Sequence, residues 1–446
     1  MRTVICGMGE VGRQLARELT ENGWDVVGID VSPVALQDVE DSLDVLMLRG
    51  DAALPTTLRK AGAGDAALVI ATTGNDQVNL VATLAARELG AKFTVALLRE
   101  RGYFSDRTGW EEGLLGVDLA LCPGLLAGEE VVRLARTSSS GHVANFAGNL
   151  VQVLTVGLEE RMAAAGKAAA QLTLPDKCRI LAVVRDGSTQ TAESISHLQP
   201  GDQVVVSGPT ATLYEVDALF HAAGRRRGRA MVVGGGALGA NVATELLKIM
   251  DSVVIADRSQ QNCERLAEVL EGVQVAHGEG TSIPFLEEMD ILQGRAFVAA
   301  TNSDEVNLMA SLLAKQLGVE QAITLLHRQD YVDVCSALGI EETVSPRLLL
   351  SSQVVRYIQR REGSVETRLP LDGNIVLELQ VAERSRLVDH RLFDMDLPLG
   401  VVLAAVVRGR DLLDDPEMVK LEAGDVIVMF SPERTIRGAH RVLVGR

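Results

Sequence analysis

The chain has 446 residues, 47% of them hydrophobic and 23% charged, and at roughly 100 to 200 residues per domain that length calls for two to four folded units. Its 43 Lys and Arg stand against 60 Asp and Glu, and the formal net charge of -17 argues against nucleic acid as the main partner and against acidic membrane surfaces. No apolar run approaches the ~18 to 20 residues that span a bilayer, and with 3% aromatic residues the chain lacks base-stacking platforms.

The opening MRTVICGMGE carries no basic-then-apolar leader, so a soluble cytoplasmic protein without membrane insertion is expected. From there VIC, a helix over about 11–22, VVGID, a second helix, LVIATT, a helix over about 76–89 and TVALL alternate β-branched runs with amphipathic stretches. That is the pattern of a parallel βαβ sheet. Over about 141–208, the runs LVQVLTVGL, ILAVVRDG and DQVVVSG, separated by turn residues, read as a β-rich module too small for a sizeable core of its own. TSSSG at 137–141 reads as a hinge, and GRRRGRA at 224–230 as a solvated linker in preference to a nucleic-acid patch.

Past that linker the chain repeats itself. VICGMGEVGRQLARELTENGWDVVGID returns as MVVGGGALGANVATELLKIMDSVVIAD, with Gly7 and Gly234 at an offset of 227. GNDQVNL meets NSDEVNL and LLRERGY meets LLHRQDY at 228, while Leu174-Pro175, Arg185 and Gly201-Asp202 meet Leu397-Pro398, Arg408 and Gly424-Asp425 at 223. The expected fold class is therefore α/β: two Rossmann-like doubly wound parallel sheets, each followed by a small α+β, β-rich module. The expected domains are 1–136, 141–224, 229–362 and 363–446. Cys6, Cys122, Cys178, Cys263 and Cys335 are odd in number and scattered, which fits reduced core thiols, and the seven histidines form no local metal pair.

The segment Gly7-Met8-Gly9-Glu10-Val11-Gly12 follows a strand, opens a helix and precedes Asp30 by 18 positions from its last glycine. Gly234, Gly236, Ala237, Leu238 and Gly239 precede Asp257 in the same way. In such a loop the first glycine permits the turn, the second lets the backbone approach a pyrophosphate, and the third lets helix and strand pack closely. Asp30 and Asp257 end second strands, where a carboxylate accepts from a ribose 2'-OH and repels a 2'-phosphate. NAD(H) or an adenine nucleotide is thus favoured over NADP(H), against the alternative of glycines that only pack a sheet. At further strand ends stand Gly50-Asp51-Ala52, Thr72-Thr73-Gly74 and Arg99, and in the second repeat Gly278-Glu279, Thr301-Asn302 and His327. Arg99 serves either as a donor to phosphate or as a surface partner of Glu100. His327 implies a weaker or different anion contact, unless Arg328 takes over.

At these residues the chain resembles the TrkA family of potassium-uptake regulators, built from RCK domains each followed by a TrkA-C domain. The resemblance rests on GMGEVG with Asp30, GDA at 50–52, ATTGNDQVN, LLRERGY, DLALCPG and the Leu-Pro, Arg-Asp-Gly and Gly-Asp landmarks, and two full copies in one chain are its most specific point. It implies a peripheral cytoplasmic subunit at the inner membrane, a homo-oligomer and tetramer in family relatives, that gates a Trk-type membrane potassium transporter. NAD(H) or ATP/ADP at the loops would change the shape of the ring. Relatives that use ATP often carry an arginine inside the glycine loop; Glu10 and Ala237 here tilt that comparison toward NAD(H).

The rival class is an NAD-dependent dehydrogenase, since the fold alone does not decide. Such an enzyme needs a substrate domain and a general acid or base held by a partner, and His142, His197 and His221 are isolated from carboxylates. A nucleotide-sensing repressor lacks its helix-turn-helix and basic face. The expectation is a regulatory subunit that is not an enzyme.

Overall fold

The opening alternation folds as β1 (Arg2–Cys6), α1 (Glu10–Glu21), β2 (Asp25–Asp30), α2 (Pro33–Glu40), β3 (Leu46–Arg49), α3 (Pro55–Lys60), β4 (Leu68–Ala71), α4 (Asp76–Leu89) and β5 (Thr94–Leu97), then β6 (Trp110–Glu112), β7 (Leu119–Leu121) and α5 (Pro123–Arg136). The structure is a computed structural model that describes residues 1–21, 23–40, 43, 45–104, 110–136, 141–148, 150–160, 162–210, 212–220, 228–291, 294–328, 330–362, 364–368, 374–383, 385–409 and 411–444. Residues 137–140 of the expected hinge and 224–227 of the expected linker lie outside them.

The first sheet runs β3-β2-β1-β4-β5-β7-β6, parallel except for β6, which is antiparallel to β7. Every residue of β4 and β5 is buried, as expected for parallel strands covered on both faces. Cys6 pairs with Ile29 on one side and Ala71 on the other, so the glycine loop emerges where the strand order reverses. Local signals set the helix ends: the Asn75 side chain accepts from Val78 N at 3.0 Å to start α4, and Gly90 at φ +113° ends it.

After α5 come β8 (Gly141–Phe146), β9 (Val151–Gly157), β10 (Arg179–Arg185), β11 (Ser188–Thr191), β12 (Gln203–Pro209) and α6 (Leu213–Phe220). The second Rossmann half then follows as β13 (Arg229–Val233), α7 (Ala237–Leu247), β14 (Ser252–Asp257), α8 (Gln260–Val269), β15 (Gln274–His277), α9 (Ile283–Glu288), β16 (Gly294–Ala299), α10 (Asp304–Gln316), β17 (Gln321–Leu325), α11 (Asp330–Ala337), β18 (Glu342–Val344) and α12 (Pro346–Glu362). Its parallel sheet runs β15-β14-β13-β16-β17-β18. The chain closes with β19 (Ser364–Arg368), β20 (Asn374–Gln380), β21 (Val402–Arg408), β22 (Asp411–Leu412), β23 (Val426–Pro432) and α13 (Glu433–Val444).

Compact units cut across the repeats. One comprises Met1–Ala135 with Arg227–Val354, both Rossmann halves; the other comprises Arg136–Arg226 with Val355–Arg446, both β-rich modules. In the first unit the halves exchange helices. Ala127, Val131 and Ala135 of α5 complete the core of the second half beside Val242, Ala243 and Leu246 of α7. Reciprocally, Ser351 of α12 donates to Glu18 of α1 at 2.9 Å, and Arg347 of α12 donates to Glu10. The first exchange is close because α5 carries Gly124 and Gly128 where it meets Asn241 and Glu245, and Glu245 also accepts from Arg101 at 3.3 Å.

In the second unit the two modules share strand order, β11-β10-β12-β9-β8 matching β22-β21-β23-β20-β19. Phe146, Val151 and Val205 of the first module pack in one core with Val376, Val428 and Phe430 of the second. α6 covers the other face of its sheet through Leu213, Val216 and Phe220, and α13 does the same through Ile436, Ala439 and Leu443. The expectation that each module is too small for a sizeable core is thereby corrected: each has a core of its own under its helix, and the opposite face of its sheet packs against the other module.

The repeated Arg and Gly-Asp landmarks form one ion pair in each module, its carboxylate buried and its guanidinium partly exposed. The Asp202 side chain is 1% exposed and accepts both Arg185 bonds at 2.7 Å, and Asp425 accepts from Arg408 at 2.9 Å. Burial pulls the Asp202 carboxyl up, but the Arg185 guanidinium and the Gln199 amide outweigh it, so it titrates below its ordinary 3.8. A carboxyl depressed in the folded state contributes stability above its unfolded pKa and loses that contribution as pH falls through the folded value. Urea midpoints followed from pH 6 downward are therefore expected to fall through and below pH 3.8, and to fall less steeply in Asp202→Asn; equal slopes would contradict this.

Candidate functional site

The first glycine loop is shaped by what surrounds each glycine. Gly7 sits at φ +97°, and a Cβ there would lie 2.7 Å from Thr73 N. At Gly12 a Cβ would lie 2.0 Å from the Gly7 carbonyl oxygen, so α1 approaches its own loop only because the residue has no side chain. At Gly9 a Cβ would meet nothing within 4 Å, leaving open space beside the N-terminal turn of α1. The second loop repeats this: Gly234 has φ +110°, Gly239 would clash with the Gly234 oxygen at 1.9 Å, and Gly236 faces open space.

Each loop borders a cavity, of about 560 Å³ in the first half and about 410 Å³ in the second. The first is walled by Gly7, Gly9, Glu10 and Val11 of the loop, Asp30 at the end of β2, Gly50, Asp51 and Ala52 after β3, Thr72, Thr73 and Gly74 after β4, and Arg99 after β5. The second is walled by Gly234, Gly236, Asp257, Gly278, Glu279, Thr301 and Asn302. Other expected residues line neither cavity. Met8 is 0% exposed beside Gly28, Gly12 and Gly239 are buried at the loop–helix contact, and Ala237, Leu238 and His327 do not line the second cavity.

Asp30 and Asp257 hold the loops as well as facing the cavities. Asp30 accepts from Met8 N at 2.7 Å and Ser32 N at 2.8 Å; Asp257 accepts from Gly235 N at 2.7 Å, Ser259 N at 2.8 Å and Asn262 Nδ2 at 3.0 Å. A carboxylate has about four acceptor positions, so among the described residues Asp30 keeps more capacity for a ribose hydroxyl than Asp257 does.

Residues not singled out from the sequence fix the far wall. Asn79, fully buried, accepts from Thr73 N and Oγ1 at 2.9 and 2.6 Å and donates to Leu97 O at 2.7 Å; Asn307 repeats this on Thr301 and Leu325. Asp76 accepts from the Arg99 and Glu100 amides, and Asp304 from those of His327 and Arg328. All four lie in the repeated GNDQVNL and NSDEVNL segments, a signal that was available in the sequence.

The cations differ between cavities. The Arg99 guanidinium is unpaired among the described residues, since Glu100 turns to Gly102 N. His327 instead places Nδ1 2.9 Å from Asp304, and Arg328 pairs with Asp330 and lies over the Tyr331 ring at 5.1 Å. The second cavity's cation is Arg258, directly after Asp257, where the first half has Val31. Chemically, each wall offers a helix N-terminus for a phosphate, an acid for a ribose and one guanidinium, a set that fits a nucleotide diphosphate. Among the described residues no cluster of His, Cys, Asp or Glu suits a metal ion. The cysteines are free and mostly buried; burial pushes the Cys6 thiol up to about 12.

The sequence model of the TrkA-N domain matches residues 3–112 and 230–346, and that of the TrkA-C domain matches 159–221. The Trk system potassium uptake protein TrkA homolog of Archaeoglobus fulgidus is 35% identical over 431 residues, 97% of each chain. The chain belongs to the TrkA family. A second TrkA homolog, from Methanosarcina mazei, is 31% identical over 97% of each chain, and TrkA of Halomonas elongata is 28% identical over 99% of this chain and 98% of its own. Among solved structures the GsuK RCK domain superposes with a TM-score of 0.62 at 18% identity, covering 100% of this chain and 95% of that one. The GsuK channel bound to NAD gives 0.63 at 17% identity, covering 100% of this chain and 79% of that one. The TrkA fold thus comprises two Rossmann-like sheets with two β-rich sheets, and no helix among the described residues is long and apolar enough to cross a membrane.

Proposed function

We infer that this chain is a nucleotide-binding regulatory subunit of a Trk-type membrane potassium transporter, that NAD(H) or ATP/ADP binds in its two glycine-loop cavities, and that the subunit carries out no catalysis. The carrying observation is the first cavity, where an open helix N-terminus, an acceptor-rich Asp30 and an Arg99 unpaired among the described residues converge in a chain whose relatives are named for potassium uptake. One fold neighbour is a channel bound to NAD. The proposed binding set is the expected one, less the residues that line neither cavity and with Arg258 in place of His327.

The wall chemistry supports binding over turnover. Among the described residues the first cavity is lined by no His, Lys, Tyr or Cys that would move a proton to or from a substrate. The subunit works as a switch to the extent that a nucleotide binds one arrangement of the two Rossmann halves more tightly than another. Assembly as a homotetramer on the cytoplasmic face of the transporter is part of this reading.

The test is to copurify the chain with a tagged potassium-transporting membrane partner and measure ion flux with and without nucleotide. Flux that ignores both the chain and the nucleotide would sink the reading, and steady NADH oxidation of a metabolite panel would favour the dehydrogenase. A saturating true ligand at 100 times its Kd stabilises by about 2.7 kcal/mol. In thermal unfolding with NADH or ATP, Asp30→Ala is expected to remove the first cavity's share of that shift; an unchanged shift would displace the ligand from this cavity.

A further inference from the structure

The side chains lining the first cavity carry a surplus of negative charge, most of it away from the helix N-terminus that suits a phosphate. Among the described residues Glu10, Asp30 and Asp51 supply three carboxylates against the single guanidinium of Arg99. Glu10 is the most awkward of these, because it opens α1, where the helix N-terminus offers its N–H groups to an anion. Yet its carboxylate is already engaged: Arg347, from the start of α12 in the other Rossmann half, donates to Glu10 Oε2. The Arg347 side chain is 19% exposed and that of Glu10 64%, so the guanidinium is held by packing while the carboxylate stands at the cavity mouth. Ser351, one turn further along α12, anchors the helix to Glu18 at 2.9 Å.

The reciprocal contact shows that this arrangement is not a by-product of the repeat. At the equivalent positions in the exchange of α5 onto α7, Gly124 stands where Arg347 does and Ala237 where Glu10 does, while Gly128 and Glu245 match Ser351 and Glu18. Both members of the ion pair are present on one side of the pseudo-symmetric contact, and both are missing on the other.

Resting on the reading of the first cavity as a nucleotide site, we propose that Arg347 is a phosphate-binding residue of that cavity, contributed by the opposite half of the chain and held in reserve by Glu10. Phosphate oxygens arriving at the N-terminus of α1 compete with the Glu10 carboxylate for the guanidinium. Binding then exchanges one charge-assisted hydrogen bond for another at the contact between the halves. The cavity therefore senses how much phosphate charge the ligand carries. The second cavity has no such cation delivered across the contact among the described residues and relies on Arg258, on its own strand end.

The test uses the full chain and calorimetric titration with ATP, ADP and NADH, which carry successively less phosphate charge. First-cavity binding is defined as the share that Asp30→Ala removes. Arg347→Gln removes the bond to phosphate and leaves the Glu10 carboxylate uncompensated at the helix N-terminus, so it is expected to weaken ATP about tenfold or more, with smaller losses for ADP and NADH. Glu10→Gln is expected to tighten ATP, and the gain should vanish in Glu10→Gln/Arg347→Gln. Arg347→Lys, which keeps the charge, should recover most of the ATP affinity, a result that loss of packing would not give. Equal weakening of all three ligands, or none, while Asp30→Ala still removes binding, overturns the role of Arg347 and leaves the nucleotide site standing. If none of the three binds the unaltered chain, the nucleotide reading fails first.

Discussion

Gly12→Ala is expected to unfold the first glycine loop and abolish nucleotide binding there, whereas Gly9→Ala, three residues earlier, should leave the fold intact. A methyl group at position 12 falls 2.0 Å from the Gly7 oxygen, and neither atom belongs to a side chain that can rotate away. α1 must back off its strand, and overpacking of a fixed contact costs about 1 to 3 kcal/mol, here at the upper end. Gly9 has nothing within 4 Å and no positive φ, so alanine should shift stability by less than about 0.5 kcal/mol. It does place a methyl in the space where a ligand phosphate would approach the loop. Chemical denaturation together with nucleotide titration separates the two: Gly12→Ala loses both readouts, Gly9→Ala only the second. Equal loss of stability in both variants would contradict the loop geometry.

The second large effect is expected at the other exchanged helix. Gly124→Leu/Gly128→Leu puts side chains where a Cβ at 124 already comes 2.2 Å from Asn241 Nδ2 and one at 128 comes 2.9 Å from Glu245 Cγ. Asn241 and Glu245 are 6% and 4% exposed, so neither can swing into solvent without undoing the packing of α7. The double variant should lose about 3 kcal/mol or more in urea unfolding, since each site alone carries about 1 to 3 kcal/mol. It should also free Glu245 from Arg101. A stability within about 1 kcal/mol of the unaltered chain would mean that α5 does not pack there.

Much of this was legible in the sequence because the fold is built from local periodicities written twice. The helix expected over 76–89 is α4 at the same bounds, and the one expected over 11–22 is α1, which starts one residue earlier, with residue 22 outside the described residues. The glycine spacing and Asp30 placed the first cavity, since a glycine forced by a close contact leaves a mark that one sequence shows. Cations were harder to read. Arg99 was legible as the residue after a buried strand, but matching it to His327 by position missed Arg258, because a cavity has two rims and an alignment of repeats compares only one at a time. The exchange of helices was not visible, because a contact such as Glu10 with Arg347 spans most of the chain and has no period. The β-rich modules read as too small for sizeable cores of their own, yet each buries a core under its helix, and nothing in either module names the other as the cover of its second face.

The way the two compact units cut across the repeats has a consequence for the order in which the chain acquires its structure during synthesis. The first Rossmann half leaves the ribosome before the segment of α12 that covers α1, and the first β-rich module before Val376, Val428 and Phe430, which close its core. At roughly 5 to 20 residues per second that wait lasts on the order of ten seconds or more. For that interval apolar surfaces meant for the second repeat face solvent, and a second nascent first half is chemically a passable substitute. A duplicated chain of this kind places its own second copy at high local concentration, and the continuity of the polypeptide is what favours the partner in cis over the equivalent one in trans.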